Sequence, residues 1–290
     1  MFFDQSINRK KNIVAGSLKF SEQKFGPLPA IIEISESGMC NRKCSFCPRS
    51  APDYNHVNEF ISFTLLEKLA LELIQLNFKN RILFSGFVEP LLDKQIFEKI
   101  SLLKKYLPKA KIEINTNGDV LNLNRLKKLF KNGLDVLLIS VYDSEEDAIR
   151  FENMCRDADL NENQFVIRHR YYTEEKDFGI TLSNRAGMME NAEFKIKSLS
   201  EPLNSPCYYP SYTFFLDYQG DVLMCPHDWG KKLILGNLNS KSFSEIWYSK
   251  GAIGIRKKLN LGNRNFKPCN LCDVKGTYIG KEYAEEWQKK

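Results

Sequence analysis

Short runs rich in β-branched residues alternate with stretches of helical period along most of the chain. Ala30 to Ile34 (AIIEI) reads as a first strand. In the helix that follows, Leu65, Leu66, Leu69, Leu73 and Leu76 line one face, and Thr64 with Glu67 predicts a capping box at its start. RILFSG, Arg81 to Gly86, is a second strand, and its helix runs from about Lys94 to Tyr106 with Pro108 marking the exit. KIEINT, Lys111 to Thr116, is closed by Asn117 and Gly118; a helix around Arg125 to Lys131 then ends at Gly133, which suits a C-cap. DVLLISV, Asp135 to Val141, is the fourth strand. A helix over Glu145 to Cys155 follows, then a fifth strand near Gln164 to Tyr171 and a weaker sixth near Gly179 to Leu182. This alternation implies a parallel sheet with crossover helices, open or closed into a barrel.

The pattern changes near residue 200, where EPLNSPCYYP interrupts it. TFFLDYQGDVLMC then predicts a hairpin about Asp217 to Gly220 ending on Cys225, followed by a short helix around Ser244 to Tyr248 and a polar tail. The expected organisation is an N-terminal extension over 1–29, a partial barrel over 30–200 and a small hairpin-containing domain over 201–290. The 290 residues are 43% hydrophobic and 27% charged, which excludes fibrous and disordered classes. No apolar run reaches membrane-spanning length, and MFFDQSINRKKN has no apolar segment behind its charges, so a cytoplasmic protein without membrane contact is expected. The net charge of +6 comes from bases scattered on helix faces, such as Lys104, Lys105, Lys127 and Lys128, so no nucleic-acid partner is expected. The charge runs Arg9 to Lys11 and Glu145 to Asp147 read as solvated faces.

Eight cysteines change the picture. In a reducing compartment, clustered cysteines are metal ligands or catalytic groups. Cys40, Cys44 and Cys47 form C-x3-C-x2-C in the loop after the first strand, and three thiolates suit three irons of a [4Fe-4S] cubane. A structural zinc would want a fourth ligand, for which His56 is the nearby candidate. Cys207, Cys225, Cys269 and Cys272, spaced C-x17-C-x43-C-x2-C, suit either zinc or a second, fully ligated cluster.

The first triplet, with Phe46 before its last cysteine, resembles the C-x3-C-x-Φ-C motif of the radical SAM superfamily. SGFVEPLL, Ser85 to Leu92, is similar to that family's G-x-G-E-P segment, keeping Gly86, Glu89 and Pro90 with Val88 at the second glycine. INTNG, containing Asn115, is similar to the family's third-strand end. The resemblance implies a [4Fe-4S] cluster on the triplet, with S-adenosyl-L-methionine held by Phe46, Gly86, Glu89, Asn115, Ser140 and one of Arg168 and Arg170. It further implies reductive cleavage of the cofactor to a 5′-deoxyadenosyl radical that abstracts a substrate hydrogen, with flavodoxin or ferredoxin as electron donor. The fold implied is an α/β partial (β/α)6 TIM-like barrel. The segment from SYTFFLDYQGDVLMCPHDW to PCNLC resembles the SPASM extension in its one-cluster twitch form, which turns the second cysteine set into ligands of an auxiliary [4Fe-4S] cluster.

Within that family the layout is similar to twitch enzymes that oxidise a ring hydroxyl, the auxiliary cluster accepting an electron. Arg185, in LSNRAG, is then the expected catalytic contact to the hydroxyl. Cys155 is left over; it is expected to be buried on its helix, and the chemical alternative is a hydrogen-atom donor as in radical SAM epimerases. The leading reading is hydrogen abstraction from a small polar substrate, a cyclitol, sugar or nucleotide sugar, with dehydrogenation of a hydroxyl. The alternatives are a peptide maturase or epimerase with a separate leader-peptide partner and, from another class, a zinc-dependent regulatory or nucleic-acid-binding protein.

Overall fold

A computed structural model describes residues 5–50, 54, 56–171, 183–190, 196–197 and 199–290. Five parallel strands, β1 (Ile31–Ser35), β2 (Arg81–Phe84), β3 (Lys111–Thr116), β4 (Val136–Val141) and β5 (Phe165–His169), lie side by side in chain order. Between them run α2 (Phe63–Gln75), α3 (Ile96–Tyr106), α4 (Leu123–Lys131) and α5 (Glu145–Asp157). Their apolar stripes cover the sheet's outer face: Leu66, Leu69 and Leu73 of α2 and Ile100 and Leu103 of α3 join Ile32, Ile82, Ile112 and Leu137 in one core. The inner face is polar, and the cavity described below opens on it. This is the radical SAM-type partial barrel expected. The predicted sixth strand, Gly179 to Leu182, lies outside the described residues.

One expectation is corrected, and the predicted hairpin proves to be part of the main sheet. The cap of α2 is Ser62, whose Oγ accepts the Leu65 N–H at 3.1 Å, while Glu67 bonds the Tyr106 hydroxyl instead. The first hairpin strand, β6 (Thr213–Asp217), is preceded by the short α6 (Tyr209–Tyr212) and pairs in parallel with β1 from Ile31↔Thr213 to Ser35↔Asp217. With β7 (Asp221–Leu223) and β8 (Ile234–Asn237) it completes an eight-stranded sheet ordered β5-β4-β3-β2-β1-β6-β7-β8, so the sheet runs across the predicted boundary near residue 200. β6 and β7 form the expected hairpin, and all five β6 residues are buried, the signature of an internal strand covered on both faces.

The two ends of the chain are also built in. α1 (Gln5–Ser17) closes the barrel's N-terminal mouth: Arg9 binds Glu113 bidentately at 2.6 and 3.1 Å and Lys10 lies over the Tyr209 ring, so this charge run is not merely a solvated face. Beyond α7 (Phe243–Trp247) and α8 (Lys250–Asn260), the predicted tail forms α9 (Lys281–Gln288), burying Tyr283 and Trp287. The Tyr283 hydroxyl bonds Ser17 and Ser21, and the Arg256 guanidinium lies between the Trp247 and Trp287 rings, 3.8 and 4.3 Å from their centroids. No helix among the described residues is long and apolar enough to cross a membrane.

Candidate active site

Parallel strands place their C-terminal ends at one rim, and the chain puts its chemistry there. A cavity of about 900 Å³ is lined by Cys40, Cys44 and Cys47 from the loop after β1, and by Phe46, Gly86, Glu89, Asn115, Ser140, Arg168, Arg170 and Arg185. The structure therefore brings together every predicted cofactor contact and the predicted catalytic arginine. Phe46 lies 5.5 Å from the Tyr142 ring. Ser140 donates to Asn115 Oδ1 at 3.1 Å and Arg168 Nη1 donates to the same oxygen at 2.8 Å, while the buried Arg168 Nε has no partner and is free to take a ligand oxygen. Gly86 adopts φ +97°, and a Cβ there would meet Phe215 Cζ at 2.9 Å, so only glycine gives this close approach of backbone to cavity.

Burial pushes all three cluster-loop thiols up, Cys44 to about 11. They stay protonated at neutral pH until a cation offsets the cost of thiolate, which is the behaviour of a ligand set rather than of a nucleophile. The loop is clasped at Arg42, which pairs with Asp119 beyond β3 at 2.5 and 2.7 Å and with Asp143 beyond β4 at 2.5 and 2.9 Å. At the loop's exit the buried Arg49 donates to the Gly38 and Phe87 carbonyls at 3.1 and 2.8 Å. His56 is exposed, its Nδ1 3.1 Å from Arg49 Nη2, and it does not line the cavity that holds Cys40, Cys44 and Cys47. Glu89 is 2% exposed, and its carboxylate accepts from Thr116 Oγ, Asn117 N and Leu91 N at 2.6, 2.7 and 3.0 Å. Three donors on one carboxylate make it the clasp between the β2 and β3 ends, which leaves ligand contact in this segment mainly to the backbone.

Cys207, Cys225, Cys269 and Cys272 line a second, small cavity with Arg264 and Asp228. Burial raises all four thiols, Cys269 to about 12 and Cys272 to about 11. Gly276, at φ +69°, leaves the space beside Cys207: a Cβ would come within 2.4 Å of its Sγ. Four cysteines with no disulfide line this one small cavity, a donor set that fits a bound group. Tyr209, His227 and Val274 line both cavities, so one layer of side chains separates them. Arg185, at φ +47°, sits at this divide with Nη1 3.5 Å from His227 Nδ1 and a buried Nε lacking a partner. Burial, with Arg185 and Lys10 nearby, pushes His227 down to about 3, so the ring is neutral; facing a guanidinium, its Nδ1 is the acceptor.

Cys155 is corrected as a catalytic candidate. It is 0% exposed on α5 within the outer core, away from both cavities, and burial pushes its thiol up to about 12. Trp229 also lines the main cavity, 4.4 Å from Phe87. Sequence reasoning missed the cavity floor, where Glu113 accepts from Arg9 and Arg81 at 2.6 and 2.7 Å and the buried Glu33 faces inward. Glu33 and Glu113 interrupt apolar strands, IIEIS and KIEINT, and that interruption was the available signal.

Comparison with known proteins bears directly on these two cysteine sites. Residues 34–171 match the radical SAM superfamily and residues 207–273 match the SPASM iron–sulfur cluster-binding domain. The chain belongs to the radical SAM superfamily and is a radical SAM enzyme, whose cofactors are S-adenosyl-L-methionine and an iron–sulfur cluster in each matched region. Among relatives, it is 28% identical over 249 residues to the S-adenosyl-L-methionine-dependent 2-deoxy-scyllo-inosamine dehydrogenase of Niallia circulans, covering 84% of this chain and 94% of that enzyme. The crystal structure of BtrN in complex with AdoMet and 2-DOIA superposes with a TM-score of 0.72 at 25% identity, covering 89% of this chain and 98% of BtrN. The fold is shared more distantly with anSMEcpe with bound AdoMet, at a TM-score of 0.53 and 14% identity over 90% of this chain and 93% of that one.

Proposed function

We propose that this enzyme dehydrogenates a hydroxyl-bearing ring carbon of a cyclitol, sugar or nucleotide sugar, with an aminocyclitol the first candidate given its relative's substrate name. The observation that carries this reading is the single layer formed by Tyr209, His227 and Val274 between the substrate-sized cavity and the four C-terminal cysteines. A second redox centre at that distance suits an oxidation that must dispose of an electron. In this reading Cys40, Cys44 and Cys47 hold one [4Fe-4S] cluster, and Cys207, Cys225, Cys269 and Cys272 hold the other. When bound, the first cluster and S-adenosyl-L-methionine supply a hydrogen-abstracting radical, and the second cluster supplies an electron acceptor.

The chain's own groups bind and orient. Phe46 and Tyr142 offer an aromatic surface for adenine, and the Gly86-to-Glu89 segment offers backbone polar groups. Ser140, Asn115, Arg168 and Arg170 form the polar wall for the cofactor's carboxylate and ribose, with Arg168 Nε unsatisfied. Arg185 directs its guanidinium to the substrate hydroxyl and stabilises the oxygen as it loses its proton. A volume of about 900 Å³ lies within the ~300–1,000 Å³ of small-molecule sites and suits two small ligands side by side. A flavodoxin or ferredoxin in the reducing cytoplasm supplies the electron. The test is anaerobic turnover of the reconstituted enzyme with cyclitols, aminocyclitols and sugars, 2-deoxy-scyllo-inosamine first, following 5′-deoxyadenosine and carbonyl product together. Equal amounts of both, with deuterium moving from the carbinol carbon to 5′-deoxyadenosine, are expected. Turnover on a peptide, or hydrogen abstraction with no carbonyl formed, overturns the reading.

A further inference from the structure

We infer that Arg264 is a positioning residue of the second cysteine site, and that its charge raises the reduction potential of the cluster held there. The inference rests on the proposed assignment of Cys207, Cys225, Cys269 and Cys272. Arg264 is 2% exposed in the loop beyond α8 and lines the small cavity with all four cysteines. Its guanidinium donates to four backbone carbonyls: Nε to Ser205 at 2.9 Å, Nη2 to Pro206 at 2.9 Å and Lys275 at 2.8 Å, and Nη1 to Val274 at 2.7 Å. The first two carbonyls lie immediately before Cys207, and the other two immediately beyond Cys272. One planar fork thus ties together the two segments that carry opposite members of the set, an arrangement the single ammonium of lysine cannot reproduce.

All four acceptors are neutral, and no carboxylate among the described residues forms an ion pair with Arg264. Two acids flank the cysteines and neither pairs with Arg264: Asp228 is turned onto the Lys232 and Leu233 N–H groups at 2.9 and 2.8 Å, and Asp273, next to Cys272, accepts the Asn184 N–H at 2.9 Å. A full positive charge therefore stands in the buried wall of the site, where the field is least screened. A four-thiolate [4Fe-4S] cluster gains one negative charge on reduction, and a fixed cation favours the more negative state. In the proposed reaction the substrate loses two electrons: one leaves with the hydrogen atom taken by the adenosyl radical, the second passes to this cluster, and the hydroxyl proton is released. A raised potential favours that second transfer.

The experiment uses the full-length chain carrying Cys40, Cys44 and Cys47 as Ala, so that only the second cluster is read. R264K and R264Q are each introduced, iron is counted, and the cluster is titrated potentiometrically by electron paramagnetic resonance. R264Q is expected to shift the reduced-to-oxidised ratio at fixed poise by about tenfold or more toward oxidised, ~59 mV for one electron. R264K is expected to bind less iron while keeping the parental potential. A R264Q that fails to load while R264K loads supports the charge requirement. Full loading of R264Q at unchanged potential overturns the inference, as does equal loss of iron from both variants, which would leave only the fork's geometry. A parent that binds no iron overturns the cluster assignment itself and this inference with it.

Discussion

Replacing Glu89 by Gln tests whether the clasp between the β2 and β3 ends holds the cofactor side of the cavity. In the native chain Oε1 accepts from Thr116 Oγ and Leu91 N and Oε2 accepts from Asn117 N, all at 3.0 Å or less. Thr116 Oγ accepts the Gly118 N–H at 3.0 Å, so its own proton points at Glu89. Burial pushes Glu89 up, and the three convergent donors pull against it by favouring the carboxylate. Glutamine offers one oxygen and one NH2, so either orientation sets an N–H against a buried donor. The lost charge-assisted bond costs about 1.5–3 kcal/mol and the orphaned donor about 1–3 kcal/mol, together roughly 2.5–6 kcal/mol. At about 2 °C per kcal/mol for a chain of this size, Tm falls by roughly 5–12 °C. Circular dichroism melts of anaerobic protein, with S-adenosyl-L-methionine affinity measured in parallel, provide the assay. A Tm and an affinity both equal to wild type would show that the carboxylate does not hold this loop.

Gly276→Ala places a methyl 2.4 Å from Cys207 Sγ, so iron after reconstitution should fall from about eight to about four per chain, the iron count of one cluster. Cys155→Ala leaves turnover unchanged and lowers stability by about 1 kcal/mol, as expected of a core residue; a large loss of kcat with normal stability would restore its chemical role. Glu36 lies fully buried with neither oxygen bonded, and burial, with Asp93 and Glu89 nearby, pushes it up from 4.5 to about 8 despite Lys99. The folded chain therefore keeps a proton that the unfolded chain loses near pH 4.5, and this group's contribution to stability falls as pH rises to about 8. Glu36→Gln removes that slope: its advantage over wild type in urea unfolding should grow between about pH 5 and 8, and a constant difference would refute the assignment.

The catalytic half was legible because its elements obey strong local rules. β1 to β4 are short runs rich in β-branched and apolar residues that supply the outer face, and α2 to α5 carry helical stripes between them. The cysteines were legible because metal ligation fixes both residue type and spacing. What escaped depends on partners far away in sequence. Nothing local in QSINRKKNIVAGS shows that Arg9 meets Glu113, and the polar KEYAEEWQ hides Tyr283 and Trp287, which find Ser17, Ser21 and Trp247 only in the fold. Arg42 could have been suspected from its place between two motif cysteines. Arg264, a lone arginine in GNRNF, gives no local signal of its four carbonyl partners. TFFLD, read as one arm of a hairpin, forms that arm with β7 and also pairs with β1 as an internal strand, which its lack of alternation marked.

The pairing of β6 with β1 also sets a schedule for biosynthesis. β1 leaves the ribosome early, yet the strand that covers one of its edges is not made until residue 213. At ~5–20 residues per second, the edge formed by Ile31, Ile32 and Ile34 waits roughly ten seconds or more with its backbone groups unpaired. Such an edge recruits other strands, so the nascent first half is a natural client for chaperones, and a chain stopped at residue 206 is an aggregation hazard rather than a smaller enzyme. Only once β6 is in place does one continuous sheet connect the two cysteine-bearing halves of the chain.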